Sequence, residues 1–202
     1  MQHVPEHIAI MMDGNGRWGT KKGLTRSQGH YAGSKAMEKI IDASLELGIK
    51  ILTLYAFSTE NWKRPIDEVN YLMDLPARYL TEKLPEFISK DIRVCISGNI
   101  EGLPQHTRKA VEIAVNETMN NRSLIVNFAL NYGGRHEILH AVKSLINDMN
   151  NTKITPNDIN ESMLEQYLYT KGLPDPDILI RTGGEKRISN FLLWQSSKSE
   201  MW

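Results

Sequence analysis

Asp13 is the residue around which the chemistry of this chain can be organised. It closes an apolar run, residues 8–12 (IAIMM), and is followed at once by Gly14, Asn15 and Gly16. Behind it come Arg17, Lys21, Lys22, Arg26 and His30, so one carboxylate faces a run of cationic or potentially cationic groups. In an open α/β sheet, ligands bind beyond the carboxyl ends of the strands. An acid at such a point, among cations, is the pattern of a metal-bridged polyphosphate. Taken alone, an aspartate before glycine is a turn residue accepting a backbone N–H. Its setting reverses that reading.

Three further apolar runs end in unusual chemistry. LTLYAF is followed by Ser58, Thr59, Glu60, Asn61, Trp62, Lys63 and Arg64. The run at 124–130 ends in Asn131, Tyr132, Gly133, Gly134 and Arg135, and the run at 177–181 leads through Thr182, Gly183, Gly184, Glu185 and Lys186 to Arg187, Ile188 and Ser189. If the strands are parallel, these loops gather at one sheet edge. Arg17, Arg26, Arg64, Arg135, Arg181 and Arg187 would then converge where few acids stand, a setting for a compact polyanion. Glu60 and Glu185 read as salt-bridge partners that hold arginines in place. His30 by itself would be structural, but four residues after Arg26 it can share that residue's face. Trp18 and Trp62 could be core residues; their polar surroundings make them candidates for a ligand wall.

Other chemistries are disfavoured. Gly14, Gly16 and Gly19 satisfy the G-x-G-x-x-G dinucleotide fingerprint, but the second strand ends in Ser58 and Thr59 rather than a ribose-binding acid. A carboxylate directly before the first glycine would also repel a pyrophosphate unless a cation intervened. No G-x-x-x-x-G-K-[ST] is present, and no D-D-x-x-D of the trans-type prenyl synthases. A phosphohydrolase would need a nucleophile or second metal acid that D-G-N does not offer. Over 202 residues, Lys plus Arg and Asp plus Glu are 24 each, so no global basic field draws nucleic acid. The single Cys95 lies in an apolar run and is expected to be inert. Neither a signal peptide nor a bilayer-length apolar run is present, and a cytoplasmic location is expected.

The elements that must position these residues alternate regularly. Apolar runs at 8–12, 49–57, 92–97, 124–130, 177–181 and 191–194 read as strands, most of them continuous enough to be covered on both faces. Helical patterns occupy 34–47, capped by Gly48, then 65–84 with Pro65 at the first position and Pro76 bending or splitting it. Further helices are expected at 105–120, 136–149 and 160–168, and 150–157 reads as a polar surface loop. The expectation is one α/β domain over residues 1–202 with a mainly parallel central sheet of about six strands flanked by helices.

The motifs MDGNGRW, GH at 29–30, LYAFSTENWKRP, NYGGR and LPDPDILIRTGGEKRISNFLLWQ resemble those of the cis-prenyltransferases, the undecaprenyl-diphosphate-synthase-like isoprenyl transferases. The match covers essentially the whole chain in family order. It implies an enzyme that condenses isopentenyl diphosphate with an allylic diphosphate, farnesyl diphosphate being the expected primer. A Z double bond forms, diphosphate leaves, and the product is a polyprenyl diphosphate such as an undecaprenyl carrier-lipid precursor. The resemblance implies that Asp13 is catalytic and binds Mg²⁺, with Glu200 a second metal ligand supplied near a homodimer interface. Gly14, Asn15, Gly16, Arg17, Trp18, Arg26 and His30 are implied to wrap the allylic substrate. Ser58, Thr59, Glu60, Trp62 and Arg64 would add contacts, and Asn61 matches the residue assigned as proton acceptor. Because a neutral amide is a poor base, an orienting role suits Asn61 better. Arg181, Arg187, Ile188 and Ser189 match the isopentenyl diphosphate site.

An apolar tunnel for the growing chain is expected from the resemblance, with walls from residues 37–47 and 72–87 and from Ile125, Phe128 and Leu130. Peripheral membrane contact would serve product release. The family continues some tens of residues beyond Trp202, so a C-terminal segment is expected to be missing here. A non-catalytic member acting as a partner protein is the alternative.

Overall fold

Side by side, five of the six apolar runs and a short sixth strand make a single parallel sheet. The computed structural model describes residues 4–151 and 154–202. Its strands are β1 (His7–Met11), β2 (Ile51–Ser58), β3 (Ile92–Ser97), β4 (Leu124–Tyr132), β5 (Ile178–Arg181) and β6 (Glu200–Met201), in the order β3-β4-β2-β1-β5-β6. Every pairing is parallel. Parallel neighbours need crossovers, and α2 (Arg26–Glu46), α3 (Ile66–Ser89), α4 (Gln105–Glu117) and α5 (Gly134–Asn151) supply them, with α1 (Asn15–Lys21) and α6 (Glu161–Glu165) as short additions.

The two faces of the sheet bury different layers. On one, Leu52, Leu54, Val94, Val126 and Phe128 meet Met37 and Ile41 of α2, Leu72, Met73 and Leu80 of α3 and Val111 of α4. On the other, Ala9, Met11, Tyr55 and Ala129 meet Leu179, Phe191 and Leu192. Strand alternation dictates this division.

Helix ends follow local chemistry. Thr25 and Gln28 form a capping box that starts α2 eight residues earlier than the apolar pattern indicates. At its other end Gly48 (φ +76°) donates to the Leu45 carbonyl and Ile49 to that of Ser44, a Schellman closure. Pro65 is the N-cap of α3 rather than its first residue, and the helix runs unbroken through Pro76 and Pro85. The expected loop at 150–157 loses its start to α5, and part of it lies outside the described residues.

One expected strand is not a strand. Phe191 and Leu192 are buried, but in a tight turn where Leu192 has φ +45°, so burial alone produced the apolar run at 191–194. The sixth strand is instead the two-residue Glu200–Met201, exposed and without an apolar pattern, held by backbone pairing to β5.

A row of polar side chains crosses the sheet interior. The Ser97 hydroxyl donates to Asn127 Oδ1 (3.1 Å), and Asn127 Nδ2 donates to Thr53 Oγ1 (3.2 Å). Thr53 Oγ1 lies 2.7 Å from His7 Nε2. The other His7 nitrogen, Nδ1, is 2.7 Å from the Pro174 carbonyl, which can only accept, so Nδ1 carries the proton and Thr53 donates to Nε2. All four side chains are buried.

Candidate active site

Beyond the end of β1, Gly14 adopts φ +94° and turns the chain into α1. That turn directs the Gly14 N–H at Asp13 Oδ1 (2.7 Å). The second carboxylate oxygen receives Arg181 Nη2 at 2.8 Å and Arg17 Nη2 at 3.3 Å. Partial burial opposes ionisation of Asp13, but the Arg181 hydrogen bond, the Gly14 N–H and the Arg17 charge outweigh it and hold the carboxyl below its usual range. Arg181, only 7% exposed, also donates from Nη1 to Ser189 Oγ (2.7 Å) and to the Arg187 carbonyl. Its Nε is buried without a hydrogen-bond partner among the described residues. Glu185 holds Arg17 (2.8 Å) and Arg187 (2.5 Å).

The glycines of the apparent dinucleotide fingerprint have a packing reason. A Cβ on Gly19 would lie 2.8 Å from the Thr25 carbonyl oxygen, and one on Gly16 would touch the Arg26 guanidinium at 3.1 Å. Across the seam, a Cβ on Gly29 would fall 2.2 Å from the Asn15 carbonyl oxygen, and one on Gly33 2.3 Å from Asn15 Nδ2. These glycines let α1 lie against α2.

The sequence reading missed Glu68, on the first turn of α3. Arg26 donates to it from Nε and Nη2 (3.1 Å each), Arg64 from Nη1 (2.6 Å) and His30 from Nε2 (3.2 Å). Burial pushes its pKa up, but the bonds from Arg26, Arg64 and His30 prevail and bring it down to about 2. Burial lowers the His30 pKa more than Glu68 raises it, so His30 is neutral at pH 7. The i,i+4 spacing of Arg64 and Glu68 was the available signal.

After β2, residues Thr59–Lys63 form a short 3-10 turn. Asn61 Oδ1 accepts the Ser58 N–H (3.0 Å), which leaves the amide NH₂, a donor, as its other polar group. Trp62 donates from Nε1 to Asn131 Oδ1 (2.8 Å) and packs edge-on against Phe57. Glu60 holds no arginine: it accepts from Asn190 Nδ2 at 2.7 Å and from Thr59 Oγ1 at 3.3 Å. Below the Asn131–Arg135 turn, the fully buried Glu137 accepts Tyr132 Oη (2.5 Å), Gln195 Nε2 (3.1 Å) and the Tyr169 N–H (2.9 Å), and burial raises its pKa. Nothing in the sequence pattern separated it from a surface glutamate.

These loops surround the mouth of a cavity of about 520 Å³. Its polar end carries Asp13, Asn15, His30, Ser58, Glu60, Asn61, Arg64, Arg181, Arg187, Ser189 and Asn190. Its interior is Met37, Leu72, Leu75, Leu80, Ile96, Phe128 and Leu130. Of the other expected site residues, Gly14, Gly16, Arg17, Trp18, Arg26, Thr59, Trp62 and Ile188 stand behind or beside this lining; Ile188 packs in the core layer with Tyr55 and Phe191. Ile125 points to the sheet face opposite Val126 and Phe128 and is no part of the wall. Arg135 is exposed and contributes its backbone N–H, bonded to Asn190 Oδ1 at 2.8 Å. Glu200 pairs with Ile178, which pairs with Ile8. That register sets it about 16 Å short of Asp13 along the strand direction, so one chain does not bring the two acids together.

A family model described as "Putative undecaprenyl diphosphate synthase" matches residues 11–202. The chain belongs to the undecaprenyl diphosphate synthase family. An isoprenyl transferase of Geobacillus kaustophilus is 54% identical over 199 residues, covering 98% of this chain and 77% of that protein. The fold agrees: a lavandulyl diphosphate synthase from Lavandula x intermedia, solved in complex with dimethylallyl diphosphate, superposes with a TM-score of 0.95 at 34% identity, covering 98% of this chain and 86% of that one. A "probable undecaprenyl diphosphate synthase" from Campylobacter jejuni gives 0.81 at 35% identity, covering 100% and 86%. Every expected site residue falls within the span matched by the undecaprenyl diphosphate synthase family model.

Proposed function

We propose that this chain elongates an allylic prenyl diphosphate with isopentenyl diphosphate, forming a Z double bond and releasing diphosphate. One observation carries the reading: a single cavity has a cationic, hydroxyl-bearing mouth at the strand ends and an apolar interior. That is the shape of a molecule with a diphosphate head and a hydrocarbon tail.

The charge supplied at the mouth serves the leaving group. The allylic C–O bond breaks as the double bond of isopentenyl diphosphate attacks, a C–C bond forms and a proton is lost. Arg64, Arg181 and Arg187, which line the cavity, offer donors to the negative charge that builds on diphosphate, each charged hydrogen bond worth about 1.5–3 kcal/mol net, and Arg17 and Arg26 add positive charge behind them. Asn61, with its carbonyl oxygen engaged by Ser58, orients the group that takes the proton rather than abstracting it.

The family is metal-dependent, and the chemistry of Asp13 fits a hard cation: the carboxylate is ionised and lines the cavity. Mg²⁺ held there would neutralise charge on the departing diphosphate. Because Glu200 lies far from Asp13 within one chain, its role as a second ligand would require a partner copy of a homodimer. The exposed stripe Leu139, Val142 and Ile146 on α5 supports such self-association.

Burial at about 0.8 kcal/mol per CH₂ makes each added five-carbon unit favourable in the apolar part of the cavity, which we read as the tunnel. Among the described residues no helix is long and apolar enough to cross a membrane. We propose separately, from the family reading, a cytoplasmic enzyme that touches the membrane peripherally at product release.

The test is incubation with labelled isopentenyl diphosphate, Mg²⁺ and allylic primers including farnesyl diphosphate, followed by sizing of the extracted lipids. Elongated polyprenyl products are expected. A folded protein giving no product with any primer would overturn the reading in favour of a non-catalytic partner. Asp13→Ala is expected to lower kcat at least a hundredfold, about 2.7 kcal/mol or more of transition-state stabilisation.

A further inference from the structure

Asn190 was not among the residues singled out from the sequence, yet it ties its own loop to two others. Its Nδ2 donates to Glu60 Oε1 (2.7 Å), its Oδ1 accepts the Arg135 N–H (2.8 Å), and its carbonyl accepts the Gly134 N–H (2.7 Å). Its neighbour Ser189 is held by Arg181. Asn190 has φ +61° and Ser189 φ +44°, left-handed conformations that asparagine tolerates better than most residues. Backbone in that region is strained for a non-glycine residue and persists where the surroundings over-determine it. The packing is close: a Cβ on Gly133 would fall 2.5 Å from Thr59 Oγ1 and 2.9 Å from Asn190 Nδ2.

The loops it joins carry the two halves of the mouth. Glu60 adjoins Asn61 at the end of β2, and Ser189 and Arg187 follow β5; all five residues, Asn190 included, line the cavity. In the sheet, β1 separates β2 from β5, so the two strand ends stand about 10 Å apart at 4.7–4.9 Å per strand. No backbone pairing fixes one loop against the other. We propose that Asn190 is the positioning residue that sets the Asn61 loop against the Arg187–Ser189 loop, and so fixes the separation of the two substrates. The idea rests on the isoprenyl transferase function. Glu60 is exposed, and a hydrogen bond in that setting adds little to stability. A misplacement of about 1 Å between reacting groups, by contrast, can cost a hundredfold in rate.

The bond to Glu60 can be isolated by a double-mutant cycle. Asn190→Asp keeps the acceptor for Arg135 and tolerates the same backbone, but sets a carboxylate against Glu60. Glu60→Gln restores a donor facing that carboxylate. Turnover is measured for wild type, N190D, E60Q and E60Q/N190D, with kcat and the KM for each substrate separated and the melting temperature recorded. N190D is expected to lower kcat/KM at least tenfold in the wild-type background and less than twofold in the E60Q background, with all melting temperatures within about 2 °C. Equal losses in both backgrounds, no loss in N190D, or losses that track melting temperature would overturn the proposal. Absence of turnover in the wild-type chain would instead sink the function itself, a distinguishable result.

Discussion

Glu68 shows how a residue with no chemistry of its own can govern a site. Arg26 and His30 of α2 meet Arg64, which follows the 3-10 turn after β2, on its carboxylate. Glu68→Gln removes the charge while keeping the shape, and is expected to lower kcat/KM for the allylic substrate about tenfold, equivalent to about 1.4 kcal/mol, in steady-state assays with varied primer. Its pH signature has a definite sign. The folded pKa, about 2, lies below the ordinary 4.5, so the stability it contributes is complete above the ordinary value and is lost as pH falls toward 2. Acid-unfolding curves of wild type and E68Q should converge over that window. At this scale the sequence was informative about cations, because arginines in glycine-rich loops stand out. It was poor for acids such as Glu68 and Glu137, which look like ordinary helix glutamates until partners from other elements arrive.

Elements were more legible than their ends. The five longer strands fall close to the apolar runs, because a strand covered on both faces must be apolar throughout. The pattern failed where backbone rather than side chain decides: Phe191–Leu192 are apolar because they are buried in a turn, and Glu200–Met201 pair without any apolar signature. The glycines at the α1–α2 seam separate two consequences. A methyl at Gly29 meets the backbone oxygen of Asn15 and one at Gly33 meets only its side chain. Gly29→Ala is therefore expected to destabilise the protein by about 1–3 kcal/mol, a loss of several degrees in thermal melting. Gly33→Ala should melt within a few degrees of wild type but turn over more slowly, since the displaced Asn15 side chain lines the cavity.

For the molecule as a whole, the buried row His7–Thr53–Asn127–Ser97 ties β1, β2, β4 and β3 together. Burial holds the His7 pKa below the ordinary 6.5 despite the Pro174 contact. The unfolded chain thus binds the extra proton first, and stability falls as pH drops below 6.5. His30 adds a slope of the same sign, so the contribution of His7 is the difference between wild type and His7→Gln. Urea midpoints measured from pH 7.5 to 5 should fall less steeply in the variant.

That same row bears on errors of assembly. Shifting any one of the four strands by a residue would turn its polar member to the opposite face. There it would lie buried and unpaired against aliphatic side chains, at about 1–3 kcal/mol per orphaned group. Misassembled sheets are penalised more heavily than the native one is rewarded. Replacing Thr53, Asn127 and Ser97 together by apolar residues of similar size could leave equilibrium stability nearly intact while removing that penalty. Such a variant is expected to refold with a larger trapped or aggregated fraction, a cost visible in recovery yield rather than in melting temperature.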